Sequence, residues 1–430
     1  MNTLLLRQVK VIDPAGPHHD ELVDVLVDEG RIAKVGKRLP KGDAPELRID
    51  GLHVSPGWVE TRAHFREPGE EYKQGITNGL DAAAAGGFTQ VAVLPSTDPV
   101  TDSRGGVDQL LRKAQGHAVR ALPLGALTKG LKGQQLAEHF DMRQAGAVAF
   151  CDDQQPVRNA RLMLLALQYA LNFDGRVIAF PLDADLGAHG LMHEGHMSVR
   201  LGMRGIPPMA EAMQIARDLR LLEYTGSNLH IATVSTAESV ALIREAKTRK
   251  LNVTASVAAH NLLLDDGCLR SFDTLYKVMP PLRDQEHIEA LREGVKDGTI
   301  DTITSDHRPE DTEHKKVEFP QAASGVIGLE TAFAVARTAL GSRMSVRRLV
   351  DRFCHGPRHA YGLSVPHIVE GTEAELTLFA PDMPWTVTAG DLVSRSKNSP
   401  FVGYQLTGRP VGIIAQQQMR LIGDLVAEVI

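Results

Sequence analysis

Between residues 54 and 305 the chain repeats one pattern: a short apolar run, then a longer stretch whose apolar side chains recur at helical spacing. The predicted strands are 54–64, 89–94, 120–127, 147–152, 176–182, 228–234, 252–257 and 299–305. Predicted helices lie at 77–85, 107–115, 158–172, 208–224, 237–250 and 286–296. Ser235-Thr236-Ala237-Glu238 has the form of a capping start for one of them. Apolar strands that alternate with helices are buried on both faces, as in a parallel sheet covered by its crossover helices. About eight such units of roughly 30 residues argue for a closed (β/α)8 barrel. No G-x-G-x-x-G follows an early strand, which weakens the open dinucleotide-binding alternative. In such a barrel, chemistry is expected only at the C-terminal strand ends.

The flanks follow a different period. Residues 4–55 contain short alternating runs such as Val9–Ile12 and Val23–Val27, separated by Asp, Gly and Pro, and residues 374–422 repeat that character. Alternation with period two marks half-buried antiparallel strands. Both ends are therefore expected to build one small β-sandwich domain, residues 1–55 plus 365–430, beside a barrel over 56–364. With 43% hydrophobic residues the chain can bury a large core. A net charge of −6, with no basic stripe interleaved with aromatics, argues against nucleic acid as a partner. No window approaches the ~20 apolar residues of a membrane span, and the amino terminus runs straight into strand-like sequence, so a soluble cytoplasmic protein is expected. Cys151, Cys268 and Cys354 are odd in number and lack C-x-x-C spacing, which suggests buried free thiols.

The first barrel strand ends in Arg62-Ala-His64-Phe-Arg66. Residues two apart on a strand project to the same side, so an H-x-H pair at such an end can offer two imidazoles to one divalent ion. Here the first of the pair is Arg62, and a guanidinium that stays protonated has no lone pair for a metal. The remaining strand ends carry Leu94-Pro-Ser96, Cys151-Asp152-Asp153, Ala179-Phe180, Ala232-Thr233 and Ser305-Asp306-His307. Asp152 and Asp153 suit either a ligand pair or a cap on the following turn. His64 is better read as a hydrogen-bonded histidine in a filled pocket than as a ligand. Arg66 suits anion recognition or a salt bridge to Glu67 or another loop acid. His193 and His196, in Met192-His-Glu-Gly-His-Met197, are expected at the surface.

With these strand ends goes a series of further motifs: His64-Phe-Arg-Glu-Pro-Gly69, Ala82-Ala-Ala-Ala-Gly-Gly-Phe-Thr89, Asp152-Asp153, Met192-His-Glu-Gly195, Val234-Ser-Thr-Ala-Glu-Ser239, Pro280-Pro-Leu-Arg283, Ser305-Asp-His307, Gly328-Leu-Glu-Thr331 and Asn398-Ser-Pro-Phe401. In that order and spacing the chain resembles the dihydroorotases of the amidohydrolase superfamily over nearly its whole length. The resemblance implies an amidohydrolase-type barrel. It also implies a zinc site made by an H-x-H pair, a carboxylate after strand four, histidines after strands five and six, and an aspartate after strand eight that doubles as general base. His64, Asp152 and Asp306 fall on those positions; Arg62, Phe180 and Thr233 replace the three other imidazoles. Arg66 matches the family's substrate-carboxylate arginine, whereas Ser96, Met279 and Glu310 depart from its other binding residues, and an acidic Glu310 is expected to repel an anionic substrate.

The expectation is therefore a site without metal or catalysis. Asp306 is a vestigial base and Arg66 a vestigial substrate contact, and the Arg62 guanidinium neutralises Asp306 or Asp152. The family contains homologues that lack metal ligands and serve as structural subunits of aspartate transcarbamoylase. The resemblance thus implies a homo-oligomer that partners the transcarbamoylase catalytic chain. The rival expectation is an active zinc amidohydrolase that opens a cyclic amide, dihydroorotate to carbamoyl aspartate, with a reduced or rearranged site.

Overall fold

The computed structural model describes residues 3–422; positions 1–2 and 423–430 of the expected small domain lie outside the described residues. Eight parallel strands run in the order expected, Trp58–Ala63, Phe88–Val93, Arg120–Ala126, Ala149–Cys151, Val177–Ala179, Leu229–Ala232, Val253–Ala258 and Thr302–Thr304. A parallel bridge between Ala63 and His307, with the His64 N–H donating to the His307 carbonyl at 2.8 Å, closes the ring from the eighth strand to the first. The fourth, fifth and eighth strands are three residues each, shorter than their apolar runs, because the following residues leave the ladder to form the barrel mouth.

Helices Ile76–Ala85, Arg104–Ala114, Ala160–Leu171, Pro208–Thr225, Ala237–Thr248 and Gln285–Asp297 cover the barrel where helical spacing placed them. The Thr236 side chain caps its helix by accepting the Ser239 N–H. Strand alternation divides the core in two. Ala63, Val91, Val93, Ile231 and Val257 pack outward beneath the helices. Val59, Ala92, Leu122, Leu124, Ala149, Ile178 and Ala232 fill the lumen with Tyr361, whose hydroxyl donates to the Thr61 carbonyl at 2.6 Å.

The chain ends share one mixed sheet. Its strand His53–Pro56 pairs parallel to Thr3–Val11 on one side and antiparallel to Leu376–Thr386 on the other, so the two termini interleave. Trp58, fully buried, joins this sheet to the barrel: its ring lies 4.6 Å from that of Phe333, 5.4 Å from Phe353 and 5.2 Å from Phe379. Close approach here demands glycine, since a Cβ on Gly57 would lie 2.1 Å from Thr89 Oγ1. Among the described residues no helix is long and apolar enough to cross a membrane.

Candidate functional site

The ends of strands one and eight are tied together below the mouth by Glu60. Its buried carboxylate accepts the Arg62 N–H at 2.7 Å, the Ser305 N–H at 2.8 Å and the Thr304 hydroxyl. Burial pushes the Glu60 carboxyl up to about 7, against those hydrogen bonds. The brace fixes the direction in which Arg62 and Asp306 leave their strands.

Arg62 then spans the centre of the mouth. Nε donates to Asp306 Oδ1 at 2.7 Å and Nη2 to Asp153 Oδ1 at 2.6 Å. The guanidinium carbon lies 5.9 Å from the centre of the Phe180 ring. Arg308 closes the group from the opposite side by a two-oxygen contact to Asp153, at 2.6 and 2.7 Å, and Ser96 Oγ adds a hydrogen bond of 2.5 Å. Two guanidiniums face two carboxylates, all nine-tenths or more buried, so the cluster is neutral. Burial alone would lower the Arg62 pKa, but Asp153 and Asp306 outweigh it and hold the cation above its ordinary value. Burial likewise opposes ionisation of Asp153, yet Arg308 and Arg62 bring its carboxyl well below the usual range.

A second neutral quartet sits on the rim. Arg66 donates to Glu310, to Glu70 at 2.8 Å and to the Pro309 carbonyl at 3.0 Å. Lys73 completes the group with Glu70 at 2.6 Å and Glu310 at 2.9 Å. His64 lies between the clusters. Its Nδ1 accepts the Arg66 N–H at 2.9 Å, so Nε2 carries the proton and donates to the Ser96 carbonyl at 2.9 Å. Burial first, then the charges of Arg66 and Arg308, keep this imidazole neutral. Arg66, Asp153 and Asp306 all have left-handed backbones, with φ of 60°, 53° and 44°. Such backbones cost a non-glycine residue roughly 1–3 kcal/mol and persist where surrounding contacts impose them.

Of the two expectations for Asp152, the fold bears out the turn cap and corrects the pairing with Arg62. Its carboxylate accepts the N–H groups of Leu127 and Thr128, at 2.9 and 2.8 Å, and the Thr128 hydroxyl, so it caps a turn and does not meet Arg62. Asp153 takes that role, because its left-handed backbone re-aims the side chain into the mouth. Glu310 does not leave a repelling charge facing an incoming anion; Arg66 and Lys73 neutralise it. His193 is buried in a short parallel ribbon with Gly205–Ile206, contrary to the expected surface position, whereas His196 is exposed. Cys268 is only partly buried, unlike Cys151 and Cys354. Arg308, Lys73 and Glu60 escaped the sequence reading. The period-two relation of Arg308 to Asp306 was the one local signal for the first of them.

The residues present do not fit a zinc ion. His64 has both ring nitrogens committed, and Phe180 and Thr233 supply no nitrogen donor. Asp306 and Asp153 are bound to guanidiniums. A divalent ion about 4 Å from Arg62 would meet a repulsion on the order of 8 kcal/mol at an effective dielectric of 20. Asp306 is likewise not poised as a base, since Arg62 occupies it. His307 turns its Nδ1 to the Gly328 N–H at 3.2 Å, and burial pushes its pKa down to about 3.

Two other clusters of ligand-type residues occur among the described residues, His193 with Asp284 and His287, and Glu310 with Asp311 and His314. In the first, His193 Nδ1 accepts from Arg283 at 3.1 Å and His287 Nδ1 accepts the Ala237 N–H at 3.3 Å. Each neutral ring therefore carries its proton on Nε2 and has no lone pair to turn toward Asp284. In the second, Glu310 is already held by Arg66 and Lys73.

Comparison with known proteins agrees with this architecture. Residues 51–239 match a family model described as Dihydro-orotase-like. The chain is 42% identical over 411 residues to the dihydroorotase of Syntrophotalea carbinolica, covering 95% of this chain and 96% of that protein. It is 43% identical over 394 residues to the dihydroorotase of Ruminiclostridium cellulolyticum, covering 91% and 92%. Among solved structures, L-hydantoinase from Arthrobacter aurescens superposes with a TM-score of 0.83 at 23% identity, over 97% of this chain and 96% of that one. That likeness establishes the amidohydrolase-type barrel. From near full-length identity above 40%, the chain belongs to the dihydroorotase-like family.

Proposed function

We propose that this chain is a non-catalytic dihydroorotase-family protein of pyrimidine biosynthesis that acts as a structural partner of the aspartate transcarbamoylase catalytic chain. The observation that carries the first half is the Arg62 guanidinium, held between Asp306 and Asp153 where the family places a metal. A neutral, hydrogen-bonded cluster in that place gives no activated water and no free base. The partnership follows from the resemblance to the ligand-poor homologues that support transcarbamoylase assembly. A protein selected for its surface keeps its barrel and loops while its site is free to change.

A second reading is favoured by a specific finding. The relatives at 40–43% identity are named dihydroorotase over nearly their whole length. On that reading the chain hydrolyses dihydroorotate to carbamoyl aspartate with zinc, after Arg62 has swung out of the mouth. One experiment separates the two. The chain is co-expressed with the transcarbamoylase encoded in the same genome, the product is sized, zinc is measured by elemental analysis, and both activities are assayed. A co-eluting complex without stoichiometric zinc or dihydroorotate turnover supports the structural role. Zinc-dependent turnover by the isolated chain establishes the second reading and removes the first.

A further inference from the structure

The rim quartet is built like an occupied ligand site. Arg66 and Lys73, with side chains 9% and 4% exposed, converge on the two oxygens of one carboxylate, that of Glu310, itself 5% exposed. Two buried cations gripping both oxygens of a carboxylate is how a protein binds a carboxylic acid ligand. Here the carboxylate comes from the chain itself, 244 residues from Arg66. The backbone that delivers it is pinned independently. Asn398 Oδ1 accepts the Glu310 N–H at 3.1 Å, and Asn398 Nδ2 donates to the carbonyls of Arg308 and Gly325, at 3.0 and 3.1 Å. Shortening the side chain would therefore leave the loop in place and a gap of carboxylate size between the two cations. Solvent has a route to that gap, because Glu310 also lines a cavity of about 510 Å³ with Tyr72, Asp311, Lys315 and Lys397.

We infer that Arg66 and Lys73 form a carboxylate subsite that Glu310 fills as an internal ligand, so that this one side chain excludes small carboxylic acids from the mouth. The inference rests on the reading of the mouth as closed to substrate, and it names the residue that closes the rim. With Glu310 the quartet is neutral; without it the remaining charges of Arg66, Lys73 and Glu70 leave one net positive charge to attract an anion. Glutamine at 310 would fill the same volume without the charge, whereas alanine opens the space.

The test measures acetate binding to the full-length protein by calorimetry and thermal melting, in low-salt buffer. Acetate should bind Glu310→Ala more tightly than wild type by about tenfold or more and raise its melting temperature saturably. Glu310→Gln should not respond, and adding Arg66→Met to Glu310→Ala should abolish the response. If Glu310→Ala is insoluble, refolding yield with and without acetate is read in its place, and recovery with acetate is the expected result. Equal acetate binding by wild type and Glu310→Ala, retention of binding in the double variant, or no rescue of refolding each overturns the inference. Dihydroorotate turnover by wild type would sink the structural reading of the protein, but the acetate result is scored separately from it.

Discussion

Replacing Arg62 by methionine tests whether the central ion pairs hold the mouth together. Methionine keeps an unbranched apolar stem but removes the guanidinium, and with it the contact to the Phe180 ring and both charged hydrogen bonds, at 2.7 Å to Asp306 and 2.6 Å to Asp153. Asp153 retains Arg308, whereas Asp306 loses its ion-pair partner while almost fully buried. Removing one member of a buried pair typically costs about 3–5 kcal/mol, most of it from the stranded charge. An unfolding entropy of about 2.1 cal/mol/K per residue, over 430 residues, makes this a fall in Tm of roughly 3–6 °C. Adding Asp306→Asn removes the stranded charge, so the double variant should be less damaged than the two single costs combined, by about 2–3 kcal/mol. The Asp153 carboxyl is held well below its ordinary range. Its stabilisation is therefore present above the ordinary Asp pKa of about 3.9 and lost as the pH falls through the depressed folded value. The Arg62→Met penalty should accordingly be level from pH 6 to 8. The measurements are thermal and urea unfolding of the four proteins of the cycle. A single-variant cost below about 1 kcal/mol, or strict additivity, would show that solvent already screens the cluster and that the buried-pair reasoning is wrong.

Three further outcomes are expected. Arg62→His alone, supplied with zinc, should neither retain stoichiometric metal nor turn over dihydroorotate, because Phe180 and Thr233 still replace two donors and both nitrogens of His64 are engaged; recovery of activity from that one change would contradict the donor count. Gly57→Ala should destabilise the barrel–sheet junction by about 1–3 kcal/mol or more, since Thr89 Oγ1, 2.1 Å from the new Cβ, is tied to the Trp58 carbonyl and Glu375; an unchanged melt would mean that the strands part more easily than their packing implies. Glu60, raised to about 7, contributes stability that is fully present below the unfolded Glu value of about 4.3 and is lost as the pH rises through 7. The stability of wild type relative to Glu60→Gln should therefore fall by about 3 kcal/mol between pH 4.5 and 8, and a level difference would show that the N–H groups of Arg62 and Ser305 keep the carboxylate ionised throughout.

Much of the site was legible before any coordinates. Arg62 and Phe180 offer a metal no lone pair in any conformation, and Thr233 offers no nitrogen, so the expectation about these three positions is a statement about functional groups and needs no geometry. The eight strands and their helices were legible for a related reason. Periods of two and 3.6 record which faces are buried, and a long alternation of such elements has few ways to close. Short strands were overestimated, because an apolar run continues past the last ladder bond into the mouth.

The order of residues by itself decided the alternating strands and helices of the barrel and the strand character of the two ends, and it decided that Arg62 and Phe180 offer a metal no lone pair, since each follows from local period or from the chemistry of single side chains. Only the tertiary structure decided which acids pair with which cations. Asp152 and Asp153 are neighbours with the same functional group, and it is a left-handed φ of 53° at Asp153 that sends one into the mouth and leaves the other on a turn. Glu310 meets Arg66 across 244 residues of chain, and Lys73 joins them from the loop after the first strand. Such charge pairing depends on distances of a few ångströms between strand ends that closure of the barrel brings together, and no periodicity along the chain records it.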